Sequence, residues 1–331
     1  MAKPLDVTAI GSAIVDVIAA VNDGFLLEHA MAKGVMTLID EHRAQVLYDA
    51  LPNPREIAGG SAANTMAGLA SLGAKGAFLG KVKRDRLGET FAAGMSELGV
   101  RFPTKMADEG PATSCCLIAV TSDGDRSMNT FLGATREFTV ADLDEACIAN
   151  AQVLYIEGYL WDVPIAKQAC LKAIEIAKHA GTKVAFTIAD PFVAGRYRDD
   201  FLEMLSGGNF DVLFANEDEA KSLFEVEAFD DVLQRVHDWG GIGALTRSEK
   251  GCVIARDGDV HVIDAAPVAR VVDTTGAGDQ FAAGFLYAMT RGKPLADCGR
   301  LGALAAAEVI SHLGARPETS LKALAAKAGL V

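Results

Sequence analysis

Residues 273–279, with the letters DTTGAGD, place small residues and two carboxylates directly before an apolar stretch. Apolar side chains at 281, 285, 286 and 289 recur at helical spacing, which predicts a helix over 280–290. The start of such a helix can hold an anion, because its first N–H groups are unpaired and its dipole is positive there. The segment, with Asp279 beside the glycines, is therefore a candidate phosphoryl-transfer site.

A plainer interpretation exists for the same residues. Gly276 and Gly278 can simply make a tight turn, and Asp279 can be one of the acids favoured in the first turn of a helix. Two features favour a site. The glycines lie within three positions, so the backbone can approach a ligand closely, and Asp279 is the only charged residue between Asp273 and Arg291.

The N-terminal part of the chain holds a second glycine turn and an isolated acid. Gly59 and Gly60 precede Ser61, which is either the N-cap of a helix or part of a site in which Asn64 bonds a hydroxyl; the residues leave both open. Asp16 interrupts the apolar residues 14–20. It either faces solvent or accepts hydrogen bonds from two hydroxyls at a cleft.

Three further groups allow weaker hypotheses. Asn216 and Glu219 fit a capping box, which the local pattern favours, although they can also organise Mg²⁺. Thr246, Arg247 and Gly251 belong to a plain hairpin or to a turn around a nucleotide. Arg126 lies in a separate hairpin. It is a better candidate for a phosphate contact than the basic residues at 81–86, which are typical of a solvated face.

Composition narrows the function class. The chain has 331 residues, half of them hydrophobic, and a formal net charge of -13, which argues against binding to nucleic acid or an anionic membrane. The six cysteines show no zinc spacing, and no apolar run has the length of a signal sequence or a membrane span. We expect a cytoplasmic protein with reduced thiols. Neither a Walker A loop nor a G-x-G-x-x-G after the first strand is present.

Strand and helix patterns alternate along most of the chain, which predicts an α/β fold with a mostly parallel sheet. The residues around 122–125 (SDGD) lie between two strand patterns, 114–121 and 126–132, and indicate a hairpin. We expect it to belong to a small antiparallel sheet that acts as a lid and keeps water from a reactive phosphate. The other predicted elements are helices at 61–72, 165–179, 201–205 and 217–224, and strands at 77–82, 153–156, 183–188, 210–214 and 268–272.

Together these segments resemble the ribokinase-like (PfkB-type) family of sugar and nucleoside kinases, from about Val7 to about Pro317. The most specific matches are 273–279 followed by Phe281 and Gly284, and Gly59-Gly60 with Asn64. The family's N-x-x-E motif and its C-terminal nucleotide loop match 216–219 and 314–317. The resemblance implies one three-layer α/β/α domain over 1–331, with a lid formed by roughly 12–56 and 104–137.

The resemblance also implies a mechanism. Asp279 is expected to act as general base, with an anion hole at Gly276, Ala277 and Gly278 and with Arg126 on the phosphate. The acceptor is expected to contact Ser12, Asp16, Gly59, Gly60, Asn64 and Phe131. The Phe131 ring is a candidate for the apolar wall against which a nucleoside base packs. ATP is expected to contact Asn216, Thr246, Arg247, Gly251, Thr275, Gly276, Gly278 and Gly314. Mg²⁺ is expected at Glu219 through water, and a monovalent cation such as K⁺ at Asp273 and Thr275.

Within the family, the N-terminal third is most similar to the adenosine kinases, which implies transfer of the γ-phosphate of ATP to the 5′-hydroxyl of adenosine. Departures at Ser12, Asp190 and Ser248 bear on the acceptor and leave the catalytic segment intact. A kinase for ribose, fructose or another nucleoside is the alternative. A non-catalytic binding relative is disfavoured by the intact 276–279 segment, and an oxidoreductase by the missing dinucleotide motif. The expected partners are small molecules, in a monomer or a homodimer.

Overall fold

The computed structural model describes residues 3–331, so the first two residues of the predicted 1–331 domain lie outside the described part. The strands are β1 (Leu5–Ile10), β2 (Ile14–Ala20), β3 (Met36–Leu38), β4 (Arg55–Gly59), β5 (Gly76–Leu79), β6 (Ser114–Val120), β7 (Arg126–Phe131), β8 (Ala151–Glu157), β9 (Lys183–Thr187), β10 (Val212–Asn216), β11 (Ile242–Thr246), β12 (Cys252–Arg256) and β13 (Asp259–Ile263).

The α-helices connect these strands and cover both sheets. They are α1 (Asp23–Glu28), α2 (Glu41–Ala50), α3 (Ser61–Leu72), α4 (Arg86–Glu97), α5 (Glu145–Ala149), α6 (Pro164–His179), α7 (Pro191–Arg196), α8 (Arg198–Ser206), α9 (Glu217–Phe224), α10 (Phe229–Trp239), α11 (Ala277–Thr290), α12 (Leu295–Val309) and α13 (Leu321–Lys327). No helix within the described residues is both long and apolar enough to cross a bilayer.

The large sheet has the order β13-β12-β11-β10-β9-β8-β1-β5. Strands from β5 to β11 run parallel, and β12 and β13 are antiparallel at one edge. Alternate strand residues point to opposite faces: Tyr155 packs with Phe214 and α11 on one side, and Phe186 packs with Trp161 on the other. The three-layer α/β/α prediction is confirmed.

The small sheet has the order β3-β7-β6-β2-β4. The predicted hairpin is present as β6 and β7, but the prediction of an antiparallel sheet is wrong, because β2–β6 and β3–β7 run parallel. The reason lies in the connections: a tight turn joins β6 to β7, whereas a long connection that runs from α1 to α4 separates β2 from β6. The sheet is therefore mixed.

One predicted strand is absent. Residues 268–272 are irregular, and Val271 and Val272 remain 52% and 43% exposed. The large sheet ends at β13, so this β-branched run has no strand to pair with; instead the Val272 N–H donates to the carbonyl of Ile310 at 2.8 Å. The helix that follows begins at Ala277, three residues earlier than predicted.

Residues 11–13 connect β1 of the large sheet directly to β2 of the small sheet. The start of α3 follows β4 of the small sheet in the same way, at Gly60. The first connection carries the chain from the large sheet to the small one, and the second carries it from the small sheet into α3, which leads back to β5 of the large sheet. Apart from Phe131 at the end of β7, the residues predicted to bind the acceptor fall on or beside these connections.

Candidate functional site

Asp279 lies in the first turn of α11, facing the first turn of α3. Its Oδ1 accepts a hydrogen bond from the Ser61 hydroxyl at 2.6 Å, and its Oδ2 accepts one from Asn64 Nδ2 at 3.3 Å. Gly60, not Ser61, is the N-cap residue of α3, so the N-cap interpretation of Ser61 is wrong. Two helix N-termini thus meet at one carboxylate.

Glycine is required at the start of both helices. Gly276 has φ of 79°, and a Cβ there would lie 2.7 Å from Ala315. Gly60 has φ of 92°, and a Cβ there would lie 2.3 Å from the carbonyl oxygen of Ser12. A side chain at either position would clash with the C-terminal loop at Ala315 or with the 11–13 connection at Ser12, so glycine allows both segments to pack against the helix starts.

The predicted anion hole is only partly open. The Ala277 N–H donates to the carbonyl of Thr274 at 3.2 Å, so it is already used. The N–H groups of Gly276 and Gly278 have no acceptor among residues 3–331. A Cβ on Gly278 would meet no atom within 4 Å, which leaves open space in front of its backbone.

The environment of Asp279 makes it a ready proton acceptor. Burial raises its pKa to about 6, against the hydrogen bonds from Ser61 and Asn64, which lower it. At pH 7 the carboxyl is therefore mostly ionised, yet it binds a proton more readily than an exposed aspartate. A general base is most efficient when its pKa lies near the pH at which the enzyme works.

Asp16 projects from β2 of the small sheet. Its oxygens lie against Gly59, where a Cβ would approach within 2.4 Å, and no described residue donates a hydrogen bond to them. Burial raises the pKa of Asp16 to about 6; the charges of Arg126 and Arg316 lower it, and that of Asp279 raises it. Asp16 is thus a partly buried acceptor with no donor among the described residues, near enough to Asp279 for their charges to interact.

Glu157, at the end of β8, is a buried acid that the sequence interpretation did not select. Its oxygens accept hydrogen bonds from the backbone N–H groups of Ser12 at 2.6 Å and Ala62 at 2.9 Å. Burial raises its pKa to about 7, against these hydrogen bonds. The carboxyl holds the 11–13 connection against the start of α3. The signal for this residue in the sequence was an acid at the end of an apolar strand pattern.

Three consecutive residues of the C-terminal loop reach the site. The Gly314 N–H donates to Asp273 at 2.9 Å, the Ala315 carbonyl accepts from Gln280 Nε2 at 2.9 Å, and Arg316 Nε donates to Asn64 Oδ1 at 3.2 Å. We name residues 311–319 the C-terminal strap. The sequence motif pointed to Gly314 but not to Arg316.

Arg126 extends from β7 of the small sheet and bonds Asp273 in the loop before α11. The carboxylate of Asp273 also accepts from the N–H of Thr275 at 2.9 Å and from its hydroxyl at 2.6 Å. Burial raises the pKa of Asp273, but these bonds and the guanidinium outweigh burial and lower it. Since Arg126 is already the counter-ion of Asp273, nothing in this arrangement supports a monovalent cation there.

The residues predicted to bind the nucleotide lie at the ends of β10 and β11. Asn216 and Glu219 form a complete capping box, with Asn216 N–H to Glu219 at 2.9 Å and Glu219 N–H to Asn216 at 2.9 Å. Thr246 lies beside Asn216 in the sheet. Arg247 bonds Glu217 at 2.9 Å and lies 4.0 Å from the Phe229 ring, while Gly251 closes the turn with φ of 80°.

These contacts limit what Glu219 can do for a metal. Burial raises its pKa to about 7, and both its oxygens already accept hydrogen bonds from Asn216. Residues 3–331 contain no group of three His, Cys, Asp or Glu side chains arranged for a metal. A Mg²⁺ ion here would take most of its ligands from phosphate and water, which is usual for Mg²⁺.

The strand register corrects the prediction for Phe131. Asp16 pairs with Cys116, which pairs with Thr130, whereas Val15, Cys115 and Phe131 form the neighbouring row. Adjacent rows face opposite sides of a sheet, so Phe131 lies on the face covered by α2 and α4, away from Asp16. We name the other side the open face; its apolar members are Ile18, Ile57, Ile118, Met128, Met36 and Leu38.

Residues 27–322 match the family described as pfkB family carbohydrate kinase. The structure resembles that of a probable sugar kinase from Rhizobium etli CFN 42, with a TM-score of 0.91, 45% identity and 100% of both chains covered. It also resembles adenosine kinase from Sinorhizobium meliloti, with a TM-score of 0.90 and 46% identity over 99% of this chain and 100% of that one. Adenosine kinase 1 of Arabidopsis thaliana is 26% identical over 92% of this chain and 93% of its own.

Proposed function

The chain belongs to the PfkB family of carbohydrate kinases, and from this premise we propose that it transfers the γ-phosphate of ATP to the 5′-hydroxyl of adenosine, giving AMP. Members of this family are phosphotransferases that act on a hydroxyl acceptor, and they use ATP, typically with Mg²⁺. One observation carries the proposal for the chemistry: Asp279 is a partly buried carboxylate with a raised pKa, held where two helix N-termini meet.

In this proposal Asp279 accepts the proton of the acceptor hydroxyl as the oxygen attacks phosphorus. The free N–H groups of Gly276 and Gly278 donate to the transferring phosphoryl group and stabilise its charge. Ser61 and Asn64 hold the carboxylate in position. When bound, Mg²⁺ neutralises phosphate charge, and Glu219 is the residue proposed to hold it through water.

Asp16 is proposed to bind the two ribose hydroxyls, since its carboxylate is partly buried and no described residue donates a hydrogen bond to it. The backbone at Gly59, Gly60 and Ser12 brings this carboxylate close to the start of α3. Arg126, at the rim, is proposed to exchange its contact with Asp273 for one with phosphate. A lid formed by roughly 12–56 and 104–137 is proposed to cover the reaction.

The open face of the small sheet supports a nucleoside as acceptor. Met36 and Leu38 are 51% and 60% exposed, and Ile18, Ile57 and Met128 are only half buried. These apolar side chains share a face with Asp16, so a base attached to a ribose held by Asp16 would lie on them. A free sugar would leave this surface uncovered, at a cost of about 25 cal/mol per Å².

A sugar kinase is the second candidate, because the probable sugar kinase of Rhizobium etli is as similar as the adenosine kinase of Sinorhizobium meliloti. Release of ADP with adenosine, other nucleosides, ribose and fructose as acceptors separates the two. We expect adenosine to give the highest kcat/KM, by about tenfold or more. A higher value with ribose or fructose would overturn the nucleoside assignment and leave the kinase assignment standing.

A substitution on the open face makes this test sharper. Met128→Glu should raise KM for adenosine about tenfold and leave KM for ATP unchanged, because it puts a charge where the base is proposed to lie. Val262→Glu, on the exposed edge strand β13, makes a similar change far from the acceptor and should leave both constants unchanged. Equal effects of the two variants would contradict the assignment of the open face.

A further inference from the structure

Arg316 is a partly buried cation whose charge is not neutralised by direct contact. Among residues 3–331, its water-inaccessible Nη2 has no hydrogen-bond partner, and no carboxylate lies within 4.0 Å of its guanidinium. The side-chain hydrogen bond that it makes within this range runs from Nε to Asn64 Oδ1, at 3.2 Å. Burial lowers its pKa to about 10, and the charge of Asp16 acts in the opposite direction. An unpaired buried charge is costly, so this position calls for an explanation beyond packing.

The Asn64 amide lies between Arg316 and Asp279. A guanidinium has only donors, and an ionised carboxylate has only acceptors. The amide must therefore turn its oxygen toward Arg316 and its NH₂ group toward Asp279, as observed. The opposite orientation would lose both bonds and set the amide oxygen against the carboxylate. Arg316 thus selects one of the two amide orientations of Asn64.

Hydrogen bonds on both sides of Arg316 hold the C-terminal strap in place. Gln280, the neighbour of Asp279 on α11, donates from Nε2 to the carbonyl of Ala315 and to that of Asn64, both at 2.9 Å. At the other end, the buried Glu308 accepts from the N–H groups of Glu318 at 3.0 Å and Thr319 at 2.7 Å. The strap, Asn64 and Asp279 are therefore joined by one set of hydrogen bonds.

We propose that Arg316 is a positioning residue for phosphoryl transfer, which holds the Asn64 amide so that it donates to Asp279 and aims that carboxylate at the acceptor hydroxyl. This inference rests on the proposed function, because it assigns Asp279 as the base. Arg316 acts through Asn64 and does not itself touch the reacting atoms.

The charges around Asp279 set the direction of the expected effect. Asp16 comes from β2, Glu157 from β8, and the phenols of Tyr155 and Tyr159 from β8 and the turn after it; the charge of Asp279 acts on all four. The two phenols are uncharged near neutral pH, so Asp16 and Glu157 are the acidic neighbours, and the hydrogen bonds from Ser61 and Asn64 are the contacts that lower the pKa of Asp279. If the amide turns over, Asp279 should hold its proton more tightly.

A double-mutant cycle tests the inference. Arg316→Met should lower kcat about tenfold and leave KM for ATP within about twofold, because misaimed catalytic groups cost rate more than ground-state binding. In an Asn64→Ala background the same substitution should change kcat less than about twofold, since the residue through which it acts is gone. Full, additive loss in that background would overturn the inference, as would a normal kcat in Arg316→Met.

Two further variants keep the test interpretable. Arg316→Lys retains a donor and a charge, so it should keep more activity than Arg316→Met even if the latter folds poorly. Arg291→Met removes a guanidinium that bonds Asp6 at 2.6 Å, remote from Asp279, and should change stability without moving the acid limb of the pH–rate profile. Equal activity of Arg316→Lys and Arg316→Met, both folded, would count against a positioning role.

A titration separates this inference from the proposed function. Carbon-13 NMR of aspartate carboxyls, with the Asp279 signal assigned by its loss in Asp279→Asn, reports the proton affinity of that group without turnover. Arg316→Met should raise the pKa of Asp279, and an unchanged pKa would overturn the inference. If no acceptor is phosphorylated by the unmodified protein, the proposed function fails while the titration still decides the role of Arg316.

Discussion

The acceptor side and the nucleotide side of the site are built in opposite ways. On the acceptor side, Asp279 is held by Ser61 and Asn64, more than 200 positions away in the chain, and the C-terminal strap joins from a third segment. On the nucleotide side, Asn216 and Glu219 bond each other across three positions. The acceptor side is therefore formed by segments that are distant in the chain, and the nucleotide side by the start of a single helix.

The difference extends to charge. The acceptor side has two carboxyls, Asp16 and Asp279, whose pKa values burial raises to about 6, and the oxygens of Asp16 have no donor among the described residues. On the nucleotide side Glu219 is also buried, but both its oxygens are bonded, and Glu217 is paired with Arg247. We infer that the acceptor side is prepared for proton transfer, whereas the nucleotide side must exchange existing contacts for ligand contacts.

The largest effect should come from the acceptor side. Asp279→Asn should lower kcat by roughly 10²–10⁴-fold, since it removes the proposed base while keeping a similar shape. ATP binding, measured by thermal shift, should be retained. Asp297→Asn changes an acid in the first turn of α12 and should leave kcat unchanged. Near-normal turnover of Asp279→Asn would remove this residue from the mechanism and, with it, the contrast between the two sides.

The pH dependence follows from the same carboxyl. As pH falls through about 6, Asp279 gains a proton and can no longer accept one, so kcat should decline on this limb. Because its folded pKa is raised above its ordinary 3.8, the fold loses stability as pH rises from 3.8 to about 6, and this loss persists in full above about pH 6. At pH 8, Asp279→Asn should therefore unfold at the same temperature as the unmodified protein or a higher one. A lower unfolding temperature would contradict the burial argument.

A smaller effect, confined to one substrate, should follow from Asp16→Ala. It should raise KM for the acceptor by about tenfold to a hundredfold and KM for ATP by less than about twofold, because only acceptor hydroxyls lose a partner. Asp259→Ala, on the edge strand β13, serves as a control with no expected effect. An unchanged acceptor KM in Asp16→Ala would exclude that residue from the acceptor site.

The smallest effect on kcat at saturating Mg²⁺ should come from Glu219→Gln. The amide can keep part of the capping box, so the unfolding temperature should change little. The concentration of Mg²⁺ needed for half-maximal rate should rise several-fold if Glu219 holds the ion through water. If the protein is destabilised and its response to Mg²⁺ is unchanged, the residue is a helix cap only, and the two sides of the site differ still more.

Local patterns in the sequence predicted local structure well. The helices Ser61–Leu72 and Glu217–Phe224 begin and end where the apolar spacing and the turn residues indicate, and the β6–β7 hairpin follows from its SDGD turn. The strand predicted at 268–272 failed because a β-branched run forms a strand only where a partner strand lies beside it. Phe131 was assigned to the wrong face because register within a sheet depends on pairing.

Part of the candidate site was also visible, and the rest depended on packing. Asp279, Asn64 and Asp16 stood out as polar groups beside glycine turns or within apolar runs, and the structure brings them together. Nothing about Glu157 or Arg316 in the sequence shows that one receives two backbone N–H groups or that the other meets Asn64. Those contacts exist only once distant segments have packed.

The identity of the reaction product decides between adenosine and a sugar as the acceptor. The protein is incubated with ATP, Mg²⁺ and adenosine, and the products are identified by phosphorus-31 NMR and chromatography against standards, with parallel reactions on ribose and fructose. We expect one 5′-AMP for each ADP released, with little sugar phosphate. Formation of ribose or fructose phosphate with adenosine left unchanged would contradict this expectation.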